Sequence, residues 1–421
     1  MKHQTPLHFV DLFAGCGGLS LGLEIAGFKP VFVNELNRDA MATYRANRAI
    51  SAQHLLLDEY HCHDIKELTE DKAVLKSLRK RILSNFGEID LVVGGPPCQG
   101  YSGIGHRRSY SVDRSRLPSN YLYQDMVTVI SALKPKMFLF ENVKGLESAR
   151  WTRRGKKGEI WTDVQGAFHG RLDKTYKIRH AVVYAKEYGV PQNRPRLLMV
   201  GIHTDIASRL DLDPAARAGG LLPAPGGEAP GLLEVLSDLV DPEFEKGQIT
   251  ATGRYPADPK GPWQEYFRLD PTRNVIRTKG EEVTEHVYSR HSPDVTAKFR
   301  HMIQNNGEIP KKYRTKKFAQ RVLPESWGRE GPTITATSMP DDYVHFAQAR
   351  TLTVREWARL QTFPDWYSFA GKRTTGGVRR AGNPRRGIHE RELPKYTQIG
   401  NAVPVKLAEA IGRHFVELLR G

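Results

Sequence analysis

The first 200 residues alternate short β-rich runs with segments of helical period, and that alternation limits the possible folds more than any other feature of the chain. The runs are "LHFVDLF" (7–13), "KPVFVNE" (29–35), "IDLVVGG" (89–95), "KMFLFENV" (136–143), "KIRHAVVYA" (177–185) and "RLLMVGIH" (196–203). Between them, "YLYQDMVTVISAL" places Leu122, Met126, Val129, Ile130 and Leu133 on one helical face, and Pro135 closes that helix. The pattern predicts an α/β fold with a doubly wound, mostly parallel sheet, whose ligands bind at the carboxyl ends of the strands. The glycines of "FAGCGG" and the cysteine of "GGPPCQGYS" both fall just past such ends.

Each strand end carries residues suited to chemistry. In "DLFAGCGG" the glycines let a backbone approach a ligand closely, and Glu35 follows Gly15 by twenty positions, the spacing for gripping ribose hydroxyls. The loop is neither G-x-G-x-x-G nor a triphosphate loop with Lys-Ser/Thr, so a nucleoside cofactor without a pyrophosphate fits best. Asp64 sits where a third strand would end, able to accept from an adenine amino group or simply to cap a turn. The neighbouring "HCH" (61–63) has no second ligand cluster, and no metal is expected. Cys98, preceded by two glycines and two prolines and followed closely by Gly100, is mounted as a reactive thiol rather than packed as a core residue. Glu141, leaving the apolar strand "FLFENV", suits a proton donor, with a solvated strand-end carboxylate as the plainer alternative. Arg194 and Arg196 of "QNRPR" would point the same way in an extended chain, towards a base edge or a phosphate; exposed ion pairs are the plainer alternative.

Beyond residue 203 the character changes. "DPAARAGGLLPAPGGEAPG" (213–231) reads as a linker or surface excursion, and 232–348 is polar, basic and without sustained period. Patterning returns at "LTVREWARLQTF" (352–363), with a capping box from Thr353 to Glu356, and in "PVKLAEAIGRHFVELL" (404–419). The net charge of +16 over 421 residues fits a polyanionic partner, nucleic acid first. Three cysteines make no disulfide framework. With no apolar stretch of membrane-spanning length and no signal-peptide core at the start, a cytoplasmic protein with no membrane contact is expected.

Taken together, these motifs resemble the DNA (cytosine-5)-methyltransferases of bacterial restriction–modification systems, from "DLFAGCGG" to "QIGNAVPVKLAEAIG" (398–412), across nearly the whole chain except a variable middle. The resemblance implies the S-adenosylmethionine-dependent methyltransferase fold with a smaller, irregular target-recognition domain. It divides the chain into a catalytic and cofactor-binding part (1–202), a DNA-reading part (203–348), and a closing part (349–421) with a bracing helix and a basic insertion at 371–396. It assigns S-adenosylmethionine to Phe13, Ala14, Gly15, Cys16, Gly17, Gly18, Glu35, Asp64, Ile65, Pro96, Leu122, Asn401 and Val403. The catalytic group is Cys98, Glu141, Arg194 and Arg196. Cys98 would add to C6 of an extruded cytosine while Glu141 protonates N3, which makes C5 nucleophilic enough to accept a methyl group; β-elimination then frees the thiol.

The implied partner is double-stranded DNA, read by a monomer, with a cognate restriction endonuclease acting on the same site without stable contact. Two features depart from the family pattern. "DRSRLPSNYL" spreads Asp113, Asn120 and Leu122 over a longer loop, and the insertion 371–396 holds eight Lys/Arg (372, 373, 379, 380, 385, 386, 391 and 395) against Glu390 and Glu392. Three other readings stand as alternatives. A tRNA-modifying branch of the same family carries a Cys-Phe-Thr signature that this chain lacks. A non-catalytic DNA-binding regulator would have lost the nucleophile or the cofactor loop, and a nicotinamide oxidoreductase would need G-x-G-x-x-G.

Overall fold

The computed structural model describes residues 5–97, 118–152, 154–247, 249–314, 320–324, 333–336, 340–375 and 392–421. These form two compact units: one of Met1–Tyr184, Pro195–Gly226 and Leu407–Gly421, the other of Ala185–Arg194 and Gly227–Lys406. The breaks fall at other positions than those of the functional scheme 1–202, 203–348 and 349–421.

The first unit is built on a seven-stranded sheet. Its strands are β1 (Leu7–Leu12), β2 (Phe28–Asn34), β3 (His61–Cys62), β4 (Leu91–Gly94), β5 (Met137–Val143), β6 (Tyr176–Tyr184) and β7 (Pro195–His203), in the order β3-β2-β1-β4-β5-β7-β6. The first five pair in parallel, whereas β7 runs antiparallel between β5 and β6. The helices that link the strands are α1 (Gly18–Ile25), α2 (Arg38–Ala46), α3 (Lys72–Phe86), α4 (Leu122–Leu133) and α5 (Glu159–Leu172). Thus the mostly parallel, doubly wound sheet expected from the alternation is present, and α4 ends before Pro135 as its pattern requires.

Period-two alternation sorts β1 between the faces of the sheet. Val10 and Leu12 join the core formed with Leu78 and Ile82 of α3, Met126 and Ile130 of α4, and Val164 and Phe168 of α5. Phe9 and Asp11 project to the opposite face, where Asp11 meets Ser20 of α1. The closing helix Val405–Arg420 covers α1 closely: a Cβ on Gly412 would lie 2.7 Å from the Ala26 Cβ.

The second unit has little regular structure. A hairpin with strands of two residues each pairs Leu269–Asp270 with Val275–Ile276, and Arg321–Val322 pairs in parallel with Tyr343–Val344. The helix Pro293–Gln304, started by the Ser292 cap and Pro293, has no counterpart in the sequence reading, which found no sustained period there. Buried ion pairs centred on the helix Val354–Leu360 organise this unit. Arg359 reaches Asp238 (2.6 Å) and Asp365 (2.5 Å), Arg268 shares Asp238 (2.6 Å), and Arg350 grips Glu356 (2.6 Å). Glu356 also completes the capping box with Thr353 that the spacing predicted. Removing one partner of such a buried pair leaves an uncompensated charge in the interior.

Gly201 on β7 is paired with Phe138 on β5, whose ring occupies the space that a Cβ would need. Gly201→Ala is therefore expected to lower stability by about 1–3 kcal/mol through overpacking. Urea unfolding should show a lower midpoint with an unchanged slope.

Candidate active site

The turn after β1 is shaped by two side chains from β2 and its end. Phe13 (φ 57°), Gly15 (φ 57°) and Gly17 (φ 86°) adopt left-handed backbone, which brings α1 directly under the strand end. Asn34 accepts from the Phe13 amide through its side chain (3.3 Å) and from the Ala14 amide through its carbonyl (3.0 Å). Its own amide group donates to the His63 carbonyl (2.8 Å), tying the loop to the end of β3. Glu35 accepts from the Gly15 amide on one oxygen (2.8 Å) and from the Asn37 amide on the other (2.7 Å). Burial pushes the Glu35 carboxyl up while these two donors pull it down. A carboxylate has about four lone-pair sites, so two donors leave capacity for ligand hydroxyls. A Cβ on Gly15 would meet nothing within 4 Å, so the turn opens onto free space.

Behind this loop lies a buried polar cluster that the sequence reading missed. Ser20 donates to Asp11 and is hydrogen-bonded to the Tyr44 hydroxyl (2.8 Å). Arg48 lies over the Tyr44 ring, 3.8 Å from its centroid, and grips Glu24 with two contacts of 2.8 Å. Its remaining reach goes to the Tyr44 carbonyl (3.0 Å) and the Gly17 carbonyl (3.4 Å). The available signal was Asp11 itself, a carboxylate in an otherwise apolar strand.

Asp64 is exposed, and one carboxylate oxygen accepts the Lys66 amide (3.0 Å). Ile65 is buried, its side chain packed with Leu68 and Leu75. Leu122 is partly buried at the start of α4. The segments bearing Ile65 and Leu122 are joined by Lys66, which reaches both oxygens of the buried Asp125 (2.8 and 2.9 Å), with Thr69 donating to the same carboxylate (2.6 Å).

At the end of β5, Glu141 forms an ion pair with Arg196 (2.6 Å). The register explains the contact: Val143 is opposite Arg196 and Glu141 opposite Leu198, so the pair is a diagonal neighbour across antiparallel strands. Gly95 makes room for it, since a Cβ there would lie 2.9 Å from Glu141 Oε2. The Asn142 side chain donates to the Pro96 carbonyl (3.2 Å), tying the strand end to the turn that leads into Cys98. Pro96 is buried and Pro97 exposed. Cys98 itself, Asp113, and residues 376–391 of the basic insertion lie outside the described residues. Of the other two cysteines, Cys16 and Cys62 are buried, and burial pushes both thiols up to about 12. Neither supplies a thiolate near neutral pH.

The two arginines of "QNRPR" have different partners. Arg196 serves Glu141, whereas Arg194 is buried in the second unit, where it donates to the Ile334 carbonyl (2.9 Å) and the Gly400 carbonyl (2.5 Å). Gln192, in the same unit, donates to the Leu360 carbonyl (2.7 Å) and to Gln361 (2.8 Å). These contacts correct the picture of two guanidiniums aimed at one target: side chains two apart point alike only while the chain stays extended, and β7 begins at Pro195. Asn401 is exposed at the end of the helix Lys395–Asn401, and Val403 is buried; both belong to the second unit. In the basic insertion, Lys372 pairs with Glu392 (2.5 Å) and Lys395 with Glu285 (2.6 Å), while Arg373 donates to the Val287 carbonyl (3.0 Å).

The Gly95–Pro97 turn, the Glu141–Arg196 pair and Glu35 thus lie at the carboxyl ends of strands of one sheet, on a basic chain. A family model for C-5 cytosine-specific DNA methylases matches residues 7–417, and the chain belongs to that family. That family is the DNA (cytosine-5)-methyltransferases, and several similar proteins are type II methyltransferases. Similar proteins include the type II methyltransferases M.DdeI of Desulfomicrobium norvegicum (29% identical, covering 96% of this chain and 87% of the relative) and M.PspPI of a Psychrobacter species (31%, covering 97% and 79%). Among solved structures, a prophage-encoded protein from E. coli, described as a candidate DNA modification methyltransferase, superposes with a TM-score of 0.66 at 24% identity, covering 99% of this chain and all of that one. That likeness is one of fold.

Asp11 supplies a pH test. Burial raises its carboxyl from 3.8 to about 7 against the opposing effects of Ser20 and Arg48. The folded state therefore holds the proton more tightly than the unfolded state, so this contribution to stability is fully present below about pH 4 and is lost as pH rises through about 7. Asp11→Asn keeps an acceptor for Ser20 and removes the titration. Its thermal midpoint should fall less than that of the wild type between pH 5 and 8; parallel curves would contradict the assignment.

Proposed function

We propose that this protein methylates C5 of a cytosine within a specific double-stranded DNA sequence, with Cys98 as covalent nucleophile and S-adenosylmethionine as methyl donor. The observation that carries the reading is the Glu141–Arg196 pair held beside the Gly95–Pro97 turn that leads into Cys98. Cytosine C5 is a poor nucleophile until a group adds at C6. The Cys98 thiolate would form that bond, and Glu141 would deliver a proton to N3, so that electron density gathers at C5. Arg196 fixes the Glu141 carboxyl against the strand end and keeps it oriented as the proton moves. Once C5 carries the methyl group, a general base takes the C5 proton, the thiolate departs, and N3 returns its proton to Glu141, which restores the ring and the enzyme. A duplex hides C6 in its stack, so the target nucleotide must be extruded first, at a cost of about a few kcal/mol.

The open turn above Gly15 and the spare acceptor capacity of Glu35 suit a nucleoside with free ribose hydroxyls and no pyrophosphate. Residues Phe13–Gly18 and Glu35 would hold S-adenosylmethionine, with Asp64, Ile65, Pro96 and Leu122 beside them. Asn401 and Val403 join that set through the family pattern alone. When bound, the cofactor supplies a methyl group on a sulfonium centre. Residues 203–348 would read flanking bases in the major groove, with 349–421 bracing them. The protein would act as a monomer in the cytoplasm, protecting host DNA from a separate endonuclease of the same specificity.

Labelled methyl transfer to unmethylated genomic DNA, followed by bisulfite sequencing, tests this reading. The wild type should modify one sequence context and Cys98→Ala none. Glu141→Gln, which keeps the shape but not the proton, should lose about 10²–10⁴-fold in rate. Transfer to RNA instead of DNA would move the protein to the tRNA-modifying branch, and an active Cys98→Ala would overturn the covalent mechanism.

A further inference from the structure

β5 ends at Val143, two residues past Glu141, and the chain continues as a short 3₁₀ turn, Lys144–Ser148, followed by a loop that enters α5 at Glu159. Because the strand's carboxyl end carries Glu141, this loop rises from the same rim of the sheet. It exposes Lys144, Arg150, Arg154, Lys156 and Lys157. Tyr184, at the end of β6, hydrogen-bonds Lys144 (3.0 Å).

The loop is held from within by its neighbouring acids. Glu159 accepts from the Trp151 amide (2.5 Å) on one oxygen and from the Lys156 amide (2.9 Å) on the other, and Asp163 accepts the Trp151 indole N–H (2.6 Å). The Trp151 ring stacks on Tyr121, with centroids 4.8 Å apart and planes 13° apart. Gly158 (φ 86°) returns its amide to the Ala149 carbonyl (3.2 Å), and the Glu159 carboxylate fills the space a Cβ on Gly155 would need. The Glu159 and Asp163 carboxylates are thus oriented by backbone and indole donors, and Glu147, partly buried, is the other acid of the segment. Among the described residues, no ion pair holds Arg154, Lys156 or Lys157. A fixed backbone that presents exposed cations at one rim, in excess of the neighbouring carboxylates, is a surface for a polyanion whose charges repeat along a line.

Resting on the DNA-methyltransferase reading, we propose that the exposed cations Lys144, Arg150, Arg154, Lys156 and Lys157 form a sequence-independent contact for the phosphate backbone of the duplex, at the carboxyl rim of the sheet that carries Glu141. The test is the salt dependence of binding to unmethylated duplex DNA. The combined variant Arg150→Gln, Arg154→Gln, Lys156→Gln and Lys157→Gln should weaken binding to every duplex alike. It should flatten the slope of log affinity against log salt by about 3–4, near 0.9 for each phosphate that the loop would otherwise neutralise.

A control variant neutralises four exposed lysines elsewhere on the same unit: Lys29 at the amino end of β2, Lys134 ahead of β5, and Lys76 and Lys80 on α3. That control should keep the wild-type slope, as should the charge-preserving Arg150→Lys and Arg154→Lys pair. If the fourfold loop variant does not fold, Lys156→Gln with Lys157→Gln carries the test, with an expected flattening of about 2. An unchanged slope in the loop variants, or an equal flattening in the control, overturns the proposal while a wild type that methylates DNA keeps the functional reading intact. A wild type that neither binds nor methylates DNA overturns both.

Discussion

The site depends on one reversal of chain direction. Five strands run parallel and deliver their ends to a common rim, but β7 enters between β5 and β6 in the opposite sense, so its first residues lie where the others finish. That places Arg196 diagonally across from Glu141, and the ion pair between them fixes the carboxyl at the strand end. With β7 parallel, Arg196 would begin its strand at the far rim, away from Glu141. Gly95 suits the same geometry, since a Cβ there would lie 2.9 Å from Glu141 Oε2 and displace the carboxylate.

The cofactor loop obeys a related logic. Three left-handed residues make a turn that ordinary side chains resist, and the cost is offset by donors and acceptors brought from β2: Asn34 and Glu35 take the amides of Phe13, Ala14, Gly15 and Asn37. The Asp11–Ser20–Tyr44–Arg48 cluster supports it from the other face of β1 and touches the Gly17 carbonyl. The turn is therefore set before any ligand arrives, which spares binding the cost of ordering it.

Much of this was legible in the sequence because it follows from local periodicity. β1, β2, β4, β5, β6 and β7 fall close to the apolar runs that announced them, and the Thr353–Glu356 box needed only its spacing. What stayed hidden depends on partners remote in sequence. Nothing local says that β7 is antiparallel, that Arg194 turns to the carbonyls of Ile334 and Gly400, or that Lys66 finds Asp125. The helix Pro293–Gln304 escaped because its apolar positions, Phe299 and Met302 among them, are sparse in a strongly polar stretch. Cys98 was singled out by its glycine and proline setting, and the burial of Cys16 and Cys62 adds a second reason to look to it.

Trapping the nucleophile tests the central claim most directly. In duplex DNA substituted throughout with 5-fluorocytosine, the group at C5 cannot leave as a proton, so β-elimination is blocked and a thiol that has added to C6 stays attached. Incubation with S-adenosylmethionine, digestion and mass spectrometry of the peptides should find the methylated fluorocytosine adduct on Cys98 and on no other residue. Methylation of ordinary cytosine by the same preparation, with no adduct on Cys98 in the substituted DNA, would contradict the account.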